Sequence, residues 1–309
     1  MSSSTSPGLT EALPATTWLE GPHGRLAFHA YPAARPWLHV LISHGFAEHT
    51  GWWHHVAVAL QARGVSAYVF DHYHHGHSAG APADVADYAH LVAGLRTVLE
   101  QGVTPRLDGA PLVVLAHSNG ALVTLLALNS LPPDAVQGLV LCSPFLGLRR
   151  PVAWGGGLLA AVLRLISPRL RVPLATRPWR LTGCRAIWPQ YHADPLRFRS
   201  ISVRFFLAMR RAVRAVQGVT ELGGRPLLLL RAGQEQVVSP EAVDAWYARV
   251  QTPDKSRRDY PDLHHELFNE AEWEAVLDDV LAWCSQRWEA PADALAQARA
   301  AVAGGAGED

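Results

Sequence analysis

Residues 112–123 read Leu112-Val113-Val114-Leu115-Ala116-His117-Ser118-Asn119-Gly120-Ala121-Leu122-Val123. The apolar run at 112–115 is typical of a parallel strand that is covered on both faces. Leucines at 122, 125, 126 and 128 then recur at roughly helical spacing, which predicts a helix over 119–130. Because no loop separates the two elements, the residue at the corner, Ser118, is expected in a strained backbone conformation, with Ala116 and Gly120 making room for it.

Two interpretations of Ser118 follow from this corner. Serine is a favoured N-cap, so the hydroxyl could simply cap the helix that begins after it. The alternative is a nucleophile elbow, usually G-x-S-x-G, in which the serine stands above the sheet and the first amides of the helix point at it. Ala116 replaces the first glycine of that motif. An acid and a histidine at suitable places downstream would favour the elbow.

The composition is that of a folded protein with a sizeable core, since 49% of the 309 residues are hydrophobic and 17% are charged. The three cysteines are widely separated and odd in number, which predicts free thiols in a reducing compartment. The N-terminus lacks the pattern of a signal peptide, and no uncharged apolar run reaches the ~18–20 residues of a membrane span. We therefore expect a cytoplasmic protein.

Apolar runs and helical patterns alternate along the chain. Strands are predicted at 16–20, 25–31, 37–43, 65–70, 112–115, 138–143, 226–232 and 257–260, and helices at 53–63, 84–101, 119–130, 240–250 and 270–288. This alternation predicts βαβ crossovers and a mostly parallel, doubly wound α/β sheet. The predicted organisation is a flexible leader (1–14), a core (15–147 and 221–290), an Arg-rich helical cap inserted after the sixth strand (148–220) and an Ala/Gly-rich tail (291–309).

The zero net charge of the chain hides a strong asymmetry. Residues 148–214 contain fourteen arginines, no lysine and one acid, Asp194, so this segment carries +13 and the rest of the chain −13. Two interpretations stay open: the cap contacts anionic membranes or headgroups, or its arginines pair with the acidic body, with Glu48 and Asp84 among the candidates. Nucleic-acid binding is not favoured, because no recognised module or stacking motif accompanies the arginines.

An acid and a histidine do follow Ser118 in the order that a hydrolase elbow requires. Glu235 is the only acid in the loop after the strand at 226–232, and His264 and His265 both follow the strand at 257–260. A serine hydroxyl needs an imidazole to take its proton, and a buried carboxylate orients that imidazole. Chain order alone leaves either histidine possible. The backbone amides of Asn119 and Phe46 are the expected donors to the substrate oxyanion.

These motifs resemble the monoacylglycerol lipase and lysophospholipase branch of the α/β-hydrolase superfamily (serine aminopeptidase S33 type) over about residues 15–290. The family pattern H-G-x-x-E-H matches residues 44–49, and H-E-L-x-N-E matches 265–270, which selects His265 over His264. The pattern D-x-R-G-H-G-x-S is matched at 71, 75, 76 and 78, while Tyr73 stands for Arg and His74 for Gly. Glu235 stands where the family usually has Asp.

The resemblance implies an α/β-hydrolase fold and a serine hydrolase without a cofactor. Ser118 would be the nucleophile, His265 the general base and Glu235 its orienting acid, with single-chain acyl esters such as monoacylglycerols or lysophospholipids as substrates. Trp154, Leu158 and Leu159 in the apolar part of the cap are expected to guide the acyl chain. The alternatives are a general carboxylesterase, another acyl hydrolase, or a lipid-binding relative without activity.

Sixteen histidines also raise the possibility of a metal site, chiefly at 72, 74, 75 and 77, with 54 and 55 nearby. Zinc sites require three or four ligands that converge tetrahedrally. The family has this loop without so many histidines, so solvated loop histidines are the favoured interpretation, and no metal is expected.

Overall fold

The computed structural model describes residues 7–9, 13–149, 167–174 and 177–290 of the chain. The strands are β1 (Thr17–Gly21), β2 (Gly24–Tyr31), β3 (Leu38–Ser43), β4 (Val65–Phe70), β5 (Leu112–His117), β6 (Gly138–Cys142), β7 (Arg171–Pro173), β8 (Ser200–Ser202), β9 (Leu227–Ala232) and β10 (Lys255–Tyr260). The α-helices are α1 (His54–Ala62), α2 (Ala89–Thr97), α3 (Asn119–Ala127), α4 (Pro178–Leu181), α5 (Trp188–Ala193), α6 (Val203–Val216), α7 (Pro240–Arg249) and α8 (Trp273–Ser285).

Eight strands form one sheet in the order β1-β2-β4-β3-β5-β6-β9-β10. Pairing is antiparallel between β1 and β2 and between β2 and β4, and parallel across the rest of the sheet. The predicted mostly parallel sheet is therefore confirmed. Since ligands bind beyond the carboxyl ends of parallel strands, the loops after β3, β5, β9 and β10 share the edge where a site is expected.

Helices cover both faces of the sheet, which explains the uninterrupted apolar run of β5. Val114 packs into the hydrophobic cluster that also holds residues of α2, α3, α6 and α7. Val113 and Leu115 point the other way, into the cluster that holds residues of α1 and α8. Successive side chains of a strand point to opposite faces of the sheet. When both faces are buried, apolar side chains are therefore favoured at every position of the strand, and the alternation of apolar and polar residues is lost.

The chain between β6 and β9 forms the inserted cap, as predicted for a segment after the sixth strand. The cap is not purely helical, however. Its described part contains α4, α5 and α6, and also an antiparallel ribbon in which β7 pairs with β8. Strands of three residues are too short to show an alternating pattern, so the sequence contains no signal for this ribbon. Residues Trp154, Leu158 and Leu159, the leader up to Ser6 and the tail from Pro291 lie outside the described residues.

Two predicted helices begin later than expected. The helix predicted from residue 84 begins at Ala89 and continues beyond Thr97 as a π-helical segment, Val98–Val103. Asp84 instead accepts a hydrogen bond from Arg204 Nε of α6 (2.5 Å). The closing helix begins at Trp273 rather than at residue 270, because the Glu270 carboxylate binds the amides of Gly183 and His264. In both cases a tertiary contact replaces the first helical turn.

Two further expectations concern cysteines and membrane spans. Cys142, Cys184 and Cys284 are all free, as the odd count predicted. In the part of the chain that the structure describes, no helix combines the length and the apolar character needed to cross a bilayer.

Candidate active site

Ser118 stands at a strained corner between β5 and α3. Its backbone has φ +48° and ψ −111°, in a region that residues with a side chain rarely adopt. Gly120 is required there, since a Cβ at this position would overlap the carbonyl oxygen of Ser43. The Ser118 hydroxyl makes no capping hydrogen bond to α3, all of which is described. The N-cap interpretation is therefore wrong, and the hydroxyl is available for another partner.

That partner is His265. Its Nε2 lies 3.0 Å from Ser118 Oγ, and its Nδ1 lies 2.7 Å from Glu235 Oε2. The other oxygen of Glu235 accepts hydrogen bonds from the amides of Val237 (2.6 Å) and Val238 (3.1 Å). Ser118, Glu235 and His265 come from loops after β5, β9 and β10, and all three are buried. The structure thus brings together the three predicted side chains in hydrogen-bonding order.

The carboxylate of Glu235 is held in its ionised form. Burial by itself raises the pKa of this carboxyl, but the neighbouring His265 and the amides of Val237 and Val238 outweigh burial, and the pKa of Glu235 lies below its usual value. A carboxylate that stays charged beside Nδ1 fixes the proton of His265 on that nitrogen. Nε2 is then free to accept the proton of Ser118.

The second histidine of the loop has a different partner. His264 Nδ1 lies 3.0 Å from Glu270 Oε1, which also accepts the backbone amide of His264 (2.7 Å). Chain order left His264 and His265 equivalent, and the geometry separates them.

One predicted oxyanion donor lies in the loop after β3, and the other directly follows Ser118 in the chain. Phe46 follows β3, and Asn119 is the first residue of α3. Within the described residues, neither backbone amide has a hydrogen-bond acceptor. The side-chain oxygen of Asn119 has a different partner, since Oδ1 accepts a hydrogen bond from the hydroxyl of buried Tyr88 (2.7 Å).

A cavity of about 470 Å³ opens onto Ser118 and His265 between the core and the cap. Most of its wall is apolar. The apolar lining residues are Phe46, Ala47, Phe145, Leu148, Leu174, Pro178, Leu181, Phe198, Ile201, Phe206, Met209 and Val237. Cavities of this size and character hold small organic ligands and acyl chains.

Only some of the polar residues that line the cavity were singled out from the sequence. Glu48 and His117 belong to the motifs that the sequence analysis singled out, and they lie 3.4 Å apart (Glu48 Oε1 to His117 Nε2). Tyr191, Arg197 and Glu266 line the same wall. Arg197 was missed because it lies in an arginine-rich segment, where no local pattern distinguishes an arginine with a buried side chain from its exposed neighbours.

The expected pairing of cap arginines with the acidic body is found at Asp84, whereas no described cap arginine lies within ion-pair distance of Glu48. Arg204 and Arg169 both lie within ion-pair distance of Asp84. Glu48 pairs instead with His117, the residue that precedes Ser118 in the chain.

The only acid of the Arg-rich segment, Asp194, ties the cap to the core. Its Oδ2 accepts hydrogen bonds from His49 Nε2 (2.9 Å) and Trp52 Nε1 (2.8 Å), and its Oδ1 accepts the amide of Leu196 (2.8 Å). Burial opposes ionisation, yet these donors lower the pKa of Asp194 to about 2.

The histidine-rich loop differs from the expectation of solvated side chains. His72 and His75 are buried, and the ring of His44 packs against both. Burial, with His44 nearby, lowers the pKa of His75 to about 3, so this imidazole is neutral. His74 adopts φ +65° at the position where the family has glycine. Within the described residues, no three His, Cys, Asp or Glu side chains converge to hold a metal ion.

Comparison with known proteins places this geometry in context. Residues 34–272 match the model of the serine aminopeptidase S33 family. The chain is 28% identical to the monoacylglycerol lipase of Mycolicibacterium smegmatis, covering 79% of this chain and 86% of the relative. It is 26% identical to the phospholipase YtpA of Bacillus subtilis (83% and 98%) and 28% identical to the human monoglyceride lipase (85% and 88%).

Solved structures share the fold. A soluble variant of the monoglyceride lipase of Saccharomyces cerevisiae superimposes with a TM-score of 0.80 at 18% identity, covering 91% of this chain and 98% of that chain. The monoacylglycerol lipase of Paleococcus ferrophilus superimposes with a TM-score of 0.73 at 23% identity, covering 84% and 97%. The expected fold is thereby confirmed.

Proposed function

This carboxylic ester hydrolase belongs to the serine aminopeptidase S33 family of the α/β-hydrolase superfamily, and we propose that it cleaves esters of single-chain lipids, monoacylglycerols or lysophospholipids. One observation carries the proposal. The hydrogen-bonded series Glu235–His265–Ser118 ends at a largely apolar cavity that is large enough for an acyl group. Relatives named as monoacylglycerol lipase and phospholipase support the substrate class.

In the proposed acylation step, Ser118 Oγ attacks the carbonyl carbon of the ester while His265 Nε2 takes its proton. The C=O π electrons move to the oxygen and form a tetrahedral oxyanion. When the oxyanion collapses, the bond from carbon to the alcohol oxygen breaks, and His265 returns the proton to the leaving alcohol. The product on the enzyme is an acyl ester of Ser118.

Deacylation repeats these steps with water in place of the serine. His265 takes a proton from water, the hydroxide oxygen attacks the acyl carbon, and Ser118 Oγ leaves with the proton held by His265. Glu235 stays ionised throughout and stabilises the imidazolium that forms in each step. Its pKa, which lies below the usual value, suits this role.

The backbone amides of Phe46 and Asn119 would hold the oxyanion in both steps. A donor of this kind is worth about 3–4 kcal/mol to the transition state, because it is oriented before charge develops. The strained backbone of Ser118 supports this assignment, because it is typical of a nucleophile elbow, in which the first amides of the following helix point at the serine.

We further propose that the cap contacts anionic membranes. Trp179 is 47% exposed and lies between Arg177 and Arg180, and Leu170 and Val172 are also exposed. An apolar side chain flanked by cations is the composition of a surface that binds at a lipid interface. Each basic residue near an anionic surface contributes about 1 kcal/mol, and salt weakens that contribution.

A vesicle assay tests the membrane contact. We expect cosedimentation with vesicles that contain phosphatidylglycerol, weak cosedimentation with pure phosphatidylcholine, and release by added salt. Trp179→Ala should reduce binding, whereas Trp18→Ala, which removes an exposed tryptophan of β1, is the matched control. Binding that does not depend on salt or on vesicle charge would contradict the contact.

Labelling with a fluorophosphonate probe tests the proposed chemistry. The probe should modify the wild-type chain, and Ser118→Ala should abolish the modification. Ser130→Ala is the matched control, since Ser130 lies just beyond the far end of α3 and its hydroxyl donates to Ala127. A chain that is not labelled, or labelling that survives Ser118→Ala, would overturn the proposal.

A substrate series then tests the lipid class. Hydrolysis rates are compared for acyl glycerols of graded chain length, short p-nitrophenyl esters and amino-acid amides. Faster cleavage of the longer acyl glycerols supports the proposal. Preference for the shortest esters would indicate a general carboxylesterase, and preference for the amides would indicate the aminopeptidase activity after which the family is named.

A further inference from the structure

The polar wall of the cavity contains two carboxylates that are already fully engaged. Glu48 Oε2 accepts hydrogen bonds from the amide of Gly45 (2.8 Å) and from Trp53 Nε1 (2.9 Å), while Oε1 faces His117. Glu48 is therefore stabilised as an anion with a cationic partner, and it has little capacity left for a ligand.

The second carboxylate is satisfied in the same way. Glu266 Oε2 accepts the hydroxyl of Tyr191 (2.5 Å) and Asn269 Nδ2 (2.8 Å), and Oε1 lies 3.4 Å from Arg197 Nη2. Neither carboxylate of the wall is thus free to neutralise a further arginine.

Arg197 has a donor to spare. Its side chain is 9% exposed, and its guanidinium packs on the rings of Trp52 (5.2 Å) and Tyr191 (4.4 Å). Nη2 makes one long contact, to the carboxylate of Glu266 (3.4 Å). The buried Nη1 has no hydrogen-bond partner among the described residues. A buried charged donor without an acceptor is energetically unfavourable. Nη1 is therefore available to an acceptor that a ligand of the cavity would supply.

Two more arginines line the cavity on the cap side. Arg199 Nη2 donates to the carbonyl oxygen of His192 (2.5 Å), and the guanidinium of Arg177 packs on Trp179 (5.4 Å). In the described chain, carboxylate partners are found for the cap residues Arg169, Arg197 and Arg204, but for neither Arg177 nor Arg199. The lining of the cavity therefore carries an excess of positive charge on its cap side.

We propose that these three arginines bind the phosphate of a single-chain glycerophospholipid, so that lysophospholipids with an anionic headgroup are preferred over monoacylglycerols. The inference rests on the proposed function and chooses between the two substrate classes that it leaves open. A guanidinium presents paired N–H donors that match phosphate oxygens. Arg177 and Arg199 are exposed, so their charges need no ligand to offset them, but they offer a phosphate cationic donors that the hydroxyls of a neutral glycerol would use less well.

The three arginines and Ser118 line the same cavity, so one bound lipid could contact the arginines and present its ester to Ser118. Arg177, Arg197 and Arg199 all belong to the cap, whereas Ser118 and His265 belong to the core. A lysophospholipid whose ester carbonyl reaches Ser118 would place its acyl chain along the apolar lining and its phosphate toward the cap arginines. A glycerol backbone is the short linker that separates these two groups.

Inhibition by soluble headgroup analogues tests the inference without a lipid surface. Hydrolysis of p-nitrophenyl butyrate, an uncharged ester, is measured against added sn-glycerol 3-phosphate, glycerol and inorganic phosphate. We expect glycerol 3-phosphate to inhibit competitively with an inhibition constant about tenfold or more below that of glycerol, and below that of inorganic phosphate. Equal inhibition by glycerol 3-phosphate and inorganic phosphate would overturn the headgroup assignment, leaving only an anion site.

Variants of the two cap arginines test which residues are responsible. The double variant Arg177→Gln/Arg199→Gln should raise the inhibition constant of glycerol 3-phosphate about tenfold, while that of glycerol changes little. Arg180→Gln is the matched control, because Arg180 lies in the same segment but does not line the cavity. An equal effect of Arg180→Gln would indicate general electrostatic attraction instead of a site.

A matched pair of substrates completes the test. We expect 1-hexanoyl-glycero-3-phosphate to show a lower KM than 1-hexanoylglycerol at similar kcat, with the difference lost in the double variant. If p-nitrophenyl butyrate is not hydrolysed, the proposed function fails. If it is hydrolysed but glycerol 3-phosphate inhibits no better than glycerol, only the headgroup inference fails.

Discussion

Two buried glutamate–histidine pairs adjoin Ser118, and they differ in what the second nitrogen of each histidine faces. In the first pair His265 Nδ1 is 2.7 Å from Glu235, and in the second His117 Nε2 is 3.4 Å from Glu48. The two imidazole rings lie 4.9 Å apart. The same residue types at similar burial would suggest the same protonation state for both histidines.

The remaining nitrogens distinguish them. His265 Nε2 faces the hydroxyl of Ser118, which can donate a proton, so a neutral imidazole satisfies both contacts. His117 Nδ1 faces the carbonyl oxygen of Cys142 (3.2 Å), which only accepts, and its Nε2 faces the Glu48 carboxylate. Both nitrogens of His117 must donate, which assigns it as an imidazolium.

The electrostatics of the second pair agree with this assignment. Burial opposes the charged form of His117, but Glu48 and the carbonyl of Cys142 outweigh it and hold the pKa of His117 well above its ordinary value. The pKa of Glu48 is correspondingly below its usual value despite burial. A glutamate beside a histidine is therefore not sufficient for a base: the partner of the second nitrogen decides between a proton acceptor and a fixed cation.

The largest effect should come from breaking the first pair at its imidazole. His265→Gln removes the imidazole that lies 3.0 Å from Ser118 Oγ and is positioned to take its proton, and we expect kcat for p-nitrophenyl butyrate to fall by about 10⁵-fold or more. Circular dichroism and thermal unfolding check that the variant is folded. Activity within tenfold of wild type would show that His265 is not the base.

A smaller loss is expected when only the charge of Glu235 is removed. Glu235→Gln keeps the size of the side chain but no longer fixes the proton on Nδ1 of His265, so kcat should fall by about 10²- to 10⁴-fold. Glu235→Asp, which restores the carboxylate usual in this family, should recover part of the activity. Equal activity of the Gln and Asp variants would contradict an electrostatic role.

The second pair should affect stability more than catalysis. Glu48→Gln leaves a buried imidazolium without its anion, and we expect the free energy of unfolding to fall by about 3–5 kcal/mol, measured by urea denaturation. The loss in kcat should be smaller than for Glu235→Gln. The reverse order, a stable variant with kcat reduced more than in Glu235→Gln, would place Glu48 in the chemistry.

The pH dependence of stability sharpens the same contrast. Because the pKa of His117 is raised in the folded state, its protonation stabilises the fold fully below the unfolded-state pKa of about 6.5, and this contribution is lost as the pH rises through the folded-state pKa. The difference in unfolding free energy between wild type and His117→Gln should therefore narrow from neutral to alkaline pH. A difference that stays constant would mean that His117 does not bind an additional proton on folding.

The smallest effect is expected for a third pair, His264 and Glu270, which lies beside the first in the chain. His264 is more exposed than His265, with 22% of its side chain accessible, and its Nδ1 binds Glu270. His264→Gln should leave kcat within about threefold of wild type. A loss comparable to that of His265→Gln would mean that the two adjacent histidines share the catalytic role.

Much of the fold could be predicted because its signals are local. The apolar run of β5 and the leucines of α3 encode a strand and a helix within a few residues, and Gly120 marks the crowded corner between them. The same holds for the parallel strands and for the insertion after β6. The ribbon of β7 and β8 and the late start of α2 had no such signal, since they depend on contacts between residues far apart in the chain.

The residues of the candidate site likewise fall into those with a local sequence signal and those without one. Chain order and motifs selected Ser118, Glu235 and His265, and the folded chain joins them through short hydrogen bonds. The inward turn of Arg197 and the burial of His72 and His75 could not be predicted, because no residue near them in the sequence determines what packs around them. The sequence favoured solvated histidines in that loop, and it left open whether the cap arginines contact anionic headgroups or pair with the acidic body.

The sequence by itself determined where strands turn into helices, which serine occupies the strained corner, and which acid and histidine follow it. Periodicity and backbone sterics act over a few residues, and they are legible in the order of the amino acids. Only the tertiary structure decided which glutamate faces which nitrogen, which of the described arginines have a carboxylate partner, and hence which buried groups are charged. Those outcomes depend on burial and on distances of a few ångströms between segments that are remote in the chain, where desolvation and pairing compete.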